Sequence, residues 1–262
     1  MNYLHQHIGP NIILLLTGLF LITLIIQLYF ILNTHRKLAF FKARKSKEQI
    51  NIPISVIISA RNESDNLFKN LPKILEQKYS LFEVIVVNHQ SIDNSKDILE
   101  AFSKQYKNLK VVELAKNKHT STGKKLPLTI GIKAAQYEHL IFTDADCEPN
   151  SHQWIKNMAG QFYKEKNIVL GYGPMIKSTG IFNKLMRFDT AWIGVNYLSM
   201  ALNKTPYMGV GRNLAYTKSA FFAVNGFKSH YSIASGDDDL FIQEAVKKNN
   251  YTIEISPETF MY

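Results

Sequence analysis

The chain has 262 residues, 46% of them hydrophobic, and a formal net charge of +10. This length and composition allow one sizeable hydrophobic core plus an appendage, and they exclude a chain that is disordered throughout. The single cysteine, Cys147, excludes an intramolecular disulfide and a cysteine-based metal site, and it fits a reducing, cytoplasmic setting for the folded part.

The first predicted element is a membrane-spanning helix over residues 12–32. These 21 residues carry no charge, and at about 1.5 Å per residue they span roughly 31 Å, the thickness of a bilayer core. A buried soluble helix is disfavoured because such helices rarely stay apolar on every face for this length. A cleaved signal peptide is disfavoured because no Lys or Arg precedes the run. We therefore predict an N-terminal anchor over residues 1–35.

A basic, polar linker is predicted over residues 36–52. It holds six Lys and Arg residues, which are Arg36, Lys37, Lys42, Arg44, Lys45 and Lys47. No nucleic-acid-binding motif accompanies them, so we expect an anionic membrane surface, and no nucleic acid, to be the partner of this charge. The positive-inside rule places the basic flank in the cytoplasm, which predicts a single-pass membrane protein whose remaining domain is cytoplasmic.

Strands and helices alternate after the linker, which predicts one α/β domain over residues 53–262. Strands are expected at 54–60, 83–87, 110–114 and 139–143, and helices at 64–77, 95–106 and 123–136. Strands joined through helices form right-handed crossovers, so we expect a mostly parallel sheet with flanking helices. The later pattern predicts strands at 168–172 and 214–217, an aromatic-rich helix at 182–202, and a helix from 236 to about 248.

Polar residues follow three of these strands at the point where each strand ends. They are Arg61 and Glu63 after the first strand, Asn88 and Asp93 after the second, and Asp144 and Asp146 after the fourth. Ligands of parallel sheets bind outside the carboxyl ends of the strands. The convergence of three polar clusters on one edge therefore predicts a ligand site there.

Asp144 and Asp146 indicate a hard divalent cation, Mg²⁺ or Mn²⁺. In extended geometry residues i and i+2 lie on one face, so both carboxylates can reach a common ion. Such an ion neutralises a nucleotide diphosphate, which is otherwise a poor leaving group. A solvated turn is the alternative for so short a motif, and the position after a buried strand favours the functional interpretation.

A second acidic cluster consists of Asp237, Asp238 and Asp239 at the start of the last predicted helix. Adjacent like charges repel and are unfavourable unless they are solvated or used. Helix capping explains one of the three well and all three poorly. Lys124, in a Gly-Lys-Lys turn before a helix, suits a diphosphate ligand, and a plain surface lysine is the alternative.

Five ordered segments resemble the family-2 glycosyltransferases. They are PISVIISARNE at 53–63, Gly-Lys at 123–124 with Leu128 and Gly131, FTDADCEP at 142–149, GVGRNLAYTKSAFFAVNGF at 209–227 and GDDDLFIQEA at 236–245. The resemblance implies the GT-A fold and an inverting transfer from a UDP- or GDP-sugar. The acceptor that it implies is a lipid-linked sugar or a cell-envelope glycan.

The resemblance also implies residue roles. Asp146 is the direct metal ligand, and Asp144 contacts the ribose or the metal shell. Asp238 is the general base, with Asp237 in that role if the register is shifted by one residue. Glu63 is a donor-contacting acid, although it could equally belong to the first turn of the following helix.

The chain departs from the family pattern in the turn after the second strand. It reads Asn88-His89-Gln90 where the family carries an aspartate, and only Asp93 of that motif is kept. Asn88 can still hydrogen-bond a uracil edge, and His89 is expected to be a surface residue. The chain also ends before the QxxRW-type acceptor motif of many processive members, so a truncated chain and a shorter member both stay open.

Two other functions stay open. A nucleotidyltransferase shares such sheets and metal acids, although residues 209–227 and 237–239 favour glycosyl transfer. A non-catalytic membrane binding subunit with a degraded transferase domain would fit the altered turn at residues 88–90. The sequence does not identify the donor sugar, the acceptor, the linkage or the oligomeric state.

Overall fold

The chain folds as two units, Met1–Phe41 and Lys42–Tyr262. The computed structural model describes residues 2–43, 51–114, 123–233, 235–247 and 249–262, with the backbone alone for residues 2–10. The first unit is helical. Helix α1 (Asn2–Phe30) continues through a π-helical turn (Ile31–His35) into the short helix α2 (Arg36–Ala39).

The stretch Asn11–Ala39 is long and apolar enough to cross a membrane, by length and composition, and none of its most apolar window is buried in the protein. The predicted span of residues 12–32 lies inside it. The first residues of the predicted linker, Arg36–Ala39, are helical, because Arg, Lys, Leu and Ala are all strong helix formers, and the bounds of the linker stay a prediction. Residues 44–50 of that linker lie outside the described residues.

Membrane extraction tests the anchor. The full chain is expected to stay in the membrane fraction after an alkaline carbonate wash, because an uncharged stretch of this length is held by the bilayer core rather than by surface charge. A variant that lacks residues 1–35 is the control, and it is expected to be released. Release of the full chain by the same wash would contradict the anchor.

The second unit contains a seven-stranded sheet in the described residues. Its strands are β1 (Ile54–Ala60), β2 (Phe82–His89), β3 (Leu109–Leu114), β4 (His139–Asp144), β5 (Ile168–Leu170), β6 (Leu214–Thr217) and β7 (Tyr251–Ile253). Their order across the sheet is β3-β2-β1-β4-β6-β5-β7. Strand β6 runs antiparallel to both of its neighbours, and the other pairs are parallel. The predicted mostly parallel sheet is confirmed.

Helices flank this sheet. They are α3 (Ser64–Leu75), α4 (Ser95–Gln105), α5 (Lys125–Ala134), α6 (Trp154–Ala159), α7 (Ile181–Leu202), α8 (Lys218–Ala223) and α9 (Asp239–Ala245). Elements α6, α8 and β7 were not predicted, because they have six, six and three residues and a period cannot be recognised over so few positions.

The last helix is shorter than predicted. Helix α9 begins at Asp239 because Gly236 has a left-handed φ of +88° and Asp238 provides the N-cap. It ends at Ala245, where the backbone of Val246 is extended. Lys248, the predicted end, lies outside the described residues.

The sheet core packs closely against its helices. Strand β1 has six of its seven residues buried, as expected for a strand covered on both faces. Helix α5 lies directly on β1 and β2 through Gly131, where an added Cβ would come within 2.7 Å of Ile57 Cγ2. This close approach fixes where the turn before α5, which carries Lys124, reaches the edge of the sheet.

Strand register aligns the ends of the central strands. Ala60 pairs with Asn88, and Ser59 pairs with Asp144, so β1, β2 and β4 end at one edge. Strand β6 runs opposite to β4, with Leu214 paired to Phe142. The 3₁₀ turn Gly211–Asn213 that precedes β6 therefore lies at the same edge as the three strand ends.

Candidate active site

Asp144, Asp146 and Cys147 form a group that could hold a metal ion at the end of β4. Each offers one ligand atom, and these atoms lie within 4.8 Å of one another. Burial, followed by the charges of Asp146 and Asp144, raises the pKa of the Cys147 thiol far above its usual range, and Sγ lies 3.3 Å from Asp146 Oδ1 as a donor. Because Mg²⁺ and Mn²⁺ prefer oxygen ligands, the two carboxylates are the groups that fit such an ion.

Lys124 reaches this group from the turn before α5. Its Nζ donates to Asp144 Oδ1 at 2.8 Å. Burial alone would lower the pKa of Lys124, but the charge of Asp144 and the hydrogen bond to it raise the pKa overall, with help from Asp237 and Asp146. Lys124 is therefore a protonated cation beside the acids at neutral pH.

The second acidic cluster lies beside the first. Asp238 Oδ2 accepts a hydrogen bond from the Gly211 N–H at 3.0 Å, and Asp238 Oδ1 accepts one from the Asp239 N–H at 2.8 Å. Asp239 Oδ1 in turn accepts from the Leu240 N–H at 2.8 Å. Asp239 and one oxygen of Asp238 thus bind backbone N–H groups at the start of α9, as capping acids do, and the other oxygen of Asp238 binds the turn before β6.

Asp237 has a different environment from its two neighbours. Burial, followed by repulsion from Asp238, raises its pKa, and the charge of Lys124 opposes this rise. An added Cβ on Gly211 would lie 3.9 Å from Asp237 Oδ2, so the carboxylate faces the turn before β6. The Gly211 turn that binds Asp238 lies at the end of β4 that carries Asp144, and Asp144 and Asp237 both act electrostatically on Lys124, so the two clusters belong to one site.

Arg212 adds a further positive charge that the sequence analysis did not single out. Its side chain crosses Gly173, where an added Cβ would lie 2.5 Å from Arg212 Nε. Its charge lowers the pKa of Cys147, against the larger effects that raise it. The signal in the sequence was the Gly-Arg-Asn run of the fourth family segment, to which no role was given.

Asn213, the next residue, fixes this turn from inside the protein. Its side chain is fully buried. Nδ2 donates to the carbonyl oxygens of Tyr172 and Thr259, both at 2.8 Å, and Oδ1 accepts from Trp154 Nε1 at 3.0 Å. Because every side-chain polar atom is paired, the turn is held rigidly beside the acids.

Asn88 lies at the edge as predicted, but its side chain is buried and engaged. Nδ2 donates to both carboxylate oxygens of Glu113, at 3.1 and 3.0 Å, and Oδ1 accepts from Ser91 Oγ at 2.5 Å. Glu113 is thus an acid at this edge that the sequence analysis missed. The contact of Asn88 with a nucleotide base stays a prediction.

Asp93 joins the starts of two helices. Its Oδ2 accepts from the Ser64 N–H at 2.9 Å, and its Oδ1 accepts from the Ser95 N–H at 3.1 Å. Burial would raise the pKa of Asp93, but hydrogen bonds from Ser95 and Ser64 lower it to about 2. This geometry supports a positioning role at the loops, and a donor contact stays a prediction.

The remaining predicted residues lie in the turn after β1. Glu63 Oε2 accepts from Asn66 Nδ2 at 2.6 Å, within the first turn of α3 as the alternative allowed, while Arg61 is exposed.

His89 is not a surface residue, and that expectation was wrong. It is 2% exposed because it ends a strand that is covered on both faces, and burial, with the charge of Arg61, lowers its pKa.

Lys125 binds the segment that precedes the second acidic cluster. Its side chain is buried, and Nζ donates to the carbonyl oxygens of His230 and Ile233 at 2.5 and 2.9 Å. Burial lowers the pKa of Lys125, against the charges of Asp237 and Asp239, which raise it. The ammonium group therefore ties α5 to the segment that leads into the cluster.

Replacement of Lys125 by Met is expected to lower the free energy of unfolding by about 1.5–3 kcal/mol, the contribution of hydrogen bonds to a charged group. The exposed Lys133, on the same helix, provides the matched control, and Lys133→Met is expected to stay within about 0.5 kcal/mol of the wild type. Urea unfolding followed by the fluorescence of the buried Trp154 measures both. Equal stability of the two variants would remove the supporting role from Lys125.

Comparison with known proteins gives a match to a sequence family. The profile described as "Glycosyl transferase family 2" matches residues 55–225. A poly-beta-1,6-N-acetyl-D-glucosamine synthase of Staphylococcus epidermidis is 35% identical over 102 residues, which are 39% of this chain and 24% of that protein. A 4,4'-diaponeurosporenoate glycosyltransferase of Staphylococcus haemolyticus is 29% identical over 77% of this chain and 53% of that protein. The chain thus spans about half or less of these relatives.

Solved structures share the fold. A mannosyltransferase from Pyrobaculum calidifontis, in complex with GDP-Man and Mn²⁺, superimposes with a TM-score of 0.66 at 17% identity, over 87% of this chain and 61% of that one. S. aureus TarS 1–349 in complex with UDP-GlcNAc gives a TM-score of 0.54 at 20% identity, over 78% of this chain and 59% of that one. At these identities the similarity establishes the fold.

Proposed function

The chain belongs to glycosyl transferase family 2 and has the GT-A fold. We propose that it is an inverting, metal-dependent hexosyltransferase. The donor is a UDP- or GDP-sugar, and the acceptor is a membrane lipid, a lipid-linked sugar or a cell-envelope glycan. One observation carries the proposal. Two acidic clusters distant in sequence meet at one sheet edge, where Lys124 donates a hydrogen bond to Asp144 and interacts electrostatically with Asp237.

The first cluster suits the leaving group. Asp146, with Asp144, would hold Mg²⁺ or Mn²⁺, and the ion would neutralise the nucleoside diphosphate as it leaves. Lys124 lies 2.8 Å from Asp144, so its ammonium can pair with a phosphate oxygen of the same donor. Arg61, Glu63, Asn88 and Asp93, from the segments that follow β1 and end β2, are the residues that we propose for the nucleotide side of the site.

The second cluster suits the acceptor. As the acceptor hydroxyl oxygen forms a bond to the anomeric carbon, the bond between this carbon and the diphosphate breaks. The nucleoside diphosphate leaves with the electron pair of that bond. The hydroxyl proton passes to a carboxylate that acts as general base. Of the two candidates, Asp237 fits this role better than Asp238, because both oxygens of Asp238 already accept backbone hydrogen bonds. The raised pKa of Asp237 also suits proton uptake.

The organisation that we propose has an anchor at residues 1–35, a basic linker at 36–52 and a transferase domain at 53–262. The anchor would hold this domain at the cytoplasmic face of the membrane, because the basic flank follows the apolar helix. An anionic lipid surface would then be the partner of the linker charge.

A thermal-shift screen of nucleotide sugars tests the proposal. The full chain in detergent is heated with each UDP- and GDP-sugar, with Mn²⁺ or with a chelator. One donor at about 100 times its Kd should stabilise the protein by about 2.7 kcal/mol, a shift of roughly 5–10 °C for a domain of this size. The shift should disappear with the chelator. No shift with any donor would favour the binding-subunit alternative.

A further inference from the structure

The first half of α7 presents large apolar side chains to solvent. We define the α7 apolar surface as Ile181, Phe182, Leu185, Met186, Phe188 and, just past the midpoint of the helix, Trp192. Phe182 is 80% exposed, Phe188 70% and Ile181 69%. In a soluble protein, contiguous exposed apolar patches mark a site that binds another surface.

The exposure is confined to one end of the helix. In the second half of α7, Tyr197, Leu198 and Ala201 are buried in the domain. The Tyr197 hydroxyl donates to the carbonyl oxygen of Gly171, which fixes the helix to the sheet. The first half therefore extends from a well-packed base.

The polarity of this half is that of an interfacial helix. At about 100° per residue, the six residues of the α7 apolar surface fall within an arc of about 160°. Lys184 is exposed just beyond one edge of this arc, Arg187 is half-buried on the opposite side, and the exposed Lys177 precedes the helix. Asp189 is the one acid of this half and falls inside the arc, so the face suits the headgroup boundary better than the hydrocarbon core.

The basic residues near α7 and the apolar helix at the N-terminus both favour an anionic bilayer as the partner of this surface. The two exposed lysines beside the surface, Lys177 and Lys184, outnumber its one acid, Asp189, and each Lys or Arg near an anionic lipid surface is worth about a fivefold gain in affinity. The same chain carries an apolar helix that could cross a membrane, and a bilayer that holds this helix would raise the effective concentration of lipid for the rest of the chain. We propose that the α7 apolar surface docks on the lipid–water interface of an anionic bilayer.

The docking surface starts next to the candidate active site. Arg212 Nη1 lies 3.9 Å from Met175 Sδ, and the chain runs from Met175 directly into α7. Docking would therefore bring the Arg212 side of the site close to the lipid headgroups. Docking of the α7 apolar surface does not depend on the transfer reaction, because it follows from the exposure of α7, the charge beside it and the apolar helix of the same chain.

The two tryptophans of the chain allow a direct test. Trp192 is 49% exposed on the docking surface, whereas Trp154 is fully buried. The full chain is reconstituted in vesicles of phosphatidylcholine alone, or mixed with phosphatidylglycerol, with and without lipids brominated on the acyl chains. We expect bromine to quench roughly half or more of the Trp192 emission in the mixed vesicles, because interfacial helices bury their apolar face about 5–10 Å deep. Quenching should decrease in neutral vesicles and at high salt.

Two variants make the result specific. Trp192→Phe should lose the quenchable emission and keep the emission of Trp154. The double change Phe182→Ser and Phe188→Ser should abolish quenching of Trp192, and unchanged Trp154 emission shows that the fold is kept. Absence of quenching in mixed vesicles would overturn the proposal. So would equal quenching in the double variant, or protection of Trp192 that depends on protein concentration, which would assign the surface to a second copy of the chain.

Discussion

Replacement of Asp237 by Asn is expected to lower the turnover of glycosyl transfer about 10²- to 10⁴-fold, the usual contribution of a positioned general base. Asparagine keeps the size of the side chain and cannot take the acceptor proton. Nucleotide-sugar binding should persist, because the proposed metal ligands Asp144 and Asp146 are untouched. Steady-state turnover and thermal shift with Mn²⁺ measure the two quantities.

The neighbouring acids are the matched controls for this prediction. Asp238→Asn keeps one acceptor oxygen for the N–H groups of Gly211 and Asp239, so we expect a loss of stability of about 1 kcal/mol and a small change in turnover. Asp239→Asn should behave in the same way. A large loss at Asp238 with little at Asp237 would restore the register given by the family resemblance. Wild-type turnover in all three variants would remove the cluster from catalysis.

Replacement of Asp146 by Asn is expected to weaken Mn²⁺-dependent nucleotide binding by about 100-fold or more, because even residues behind a metal's direct ligands contribute 10- to 100-fold to metal affinity. Fold stability should change by no more than about 0.5 kcal/mol, since Asp146 is exposed. Titration of the nucleotide sugar with Mn²⁺ and with a chelator separates the metal-dependent part of binding.

Glu165→Gln is the control for the loss of one acid. Glu165 is also exposed, and it precedes β5 at the edge of the sheet opposite the site, because β5 runs parallel to β4 through their common neighbour. Its replacement should leave metal-dependent binding unchanged. Binding at wild-type strength in Asp146→Asn would show that the ion has other ligands.

The positions of the site residues followed from the sequence, because strand ends determine them. Asp144 and Asn88 end buried apolar runs, and parallel pairing brings such ends to one edge. The turn at Gly211 followed only from the family resemblance, through the segment at residues 209–227. This turn lies at the same edge because β6 runs antiparallel to β4.

The partners of the side chains did not follow from the sequence. Three hydrogen bonds join residues that lie far apart in the chain. They connect Asp238 with Gly211, Lys125 with His230, and Asn88 with Glu113. No local pattern encodes such contacts. His89 was expected at the surface because its side chain is polar. It is buried because of its position in β2.

Release of nucleoside diphosphate by the purified full chain tests the central claim most directly. Each UDP- and GDP-sugar is incubated with the protein, with Mn²⁺ or with a chelator, and free diphosphate is measured over time. The proposed function predicts release from one donor that requires the metal ion and is lost in Asp146→Asn. Release that continues unchanged with the chelator, or no release from any donor that binds, would contradict a metal-dependent transferase.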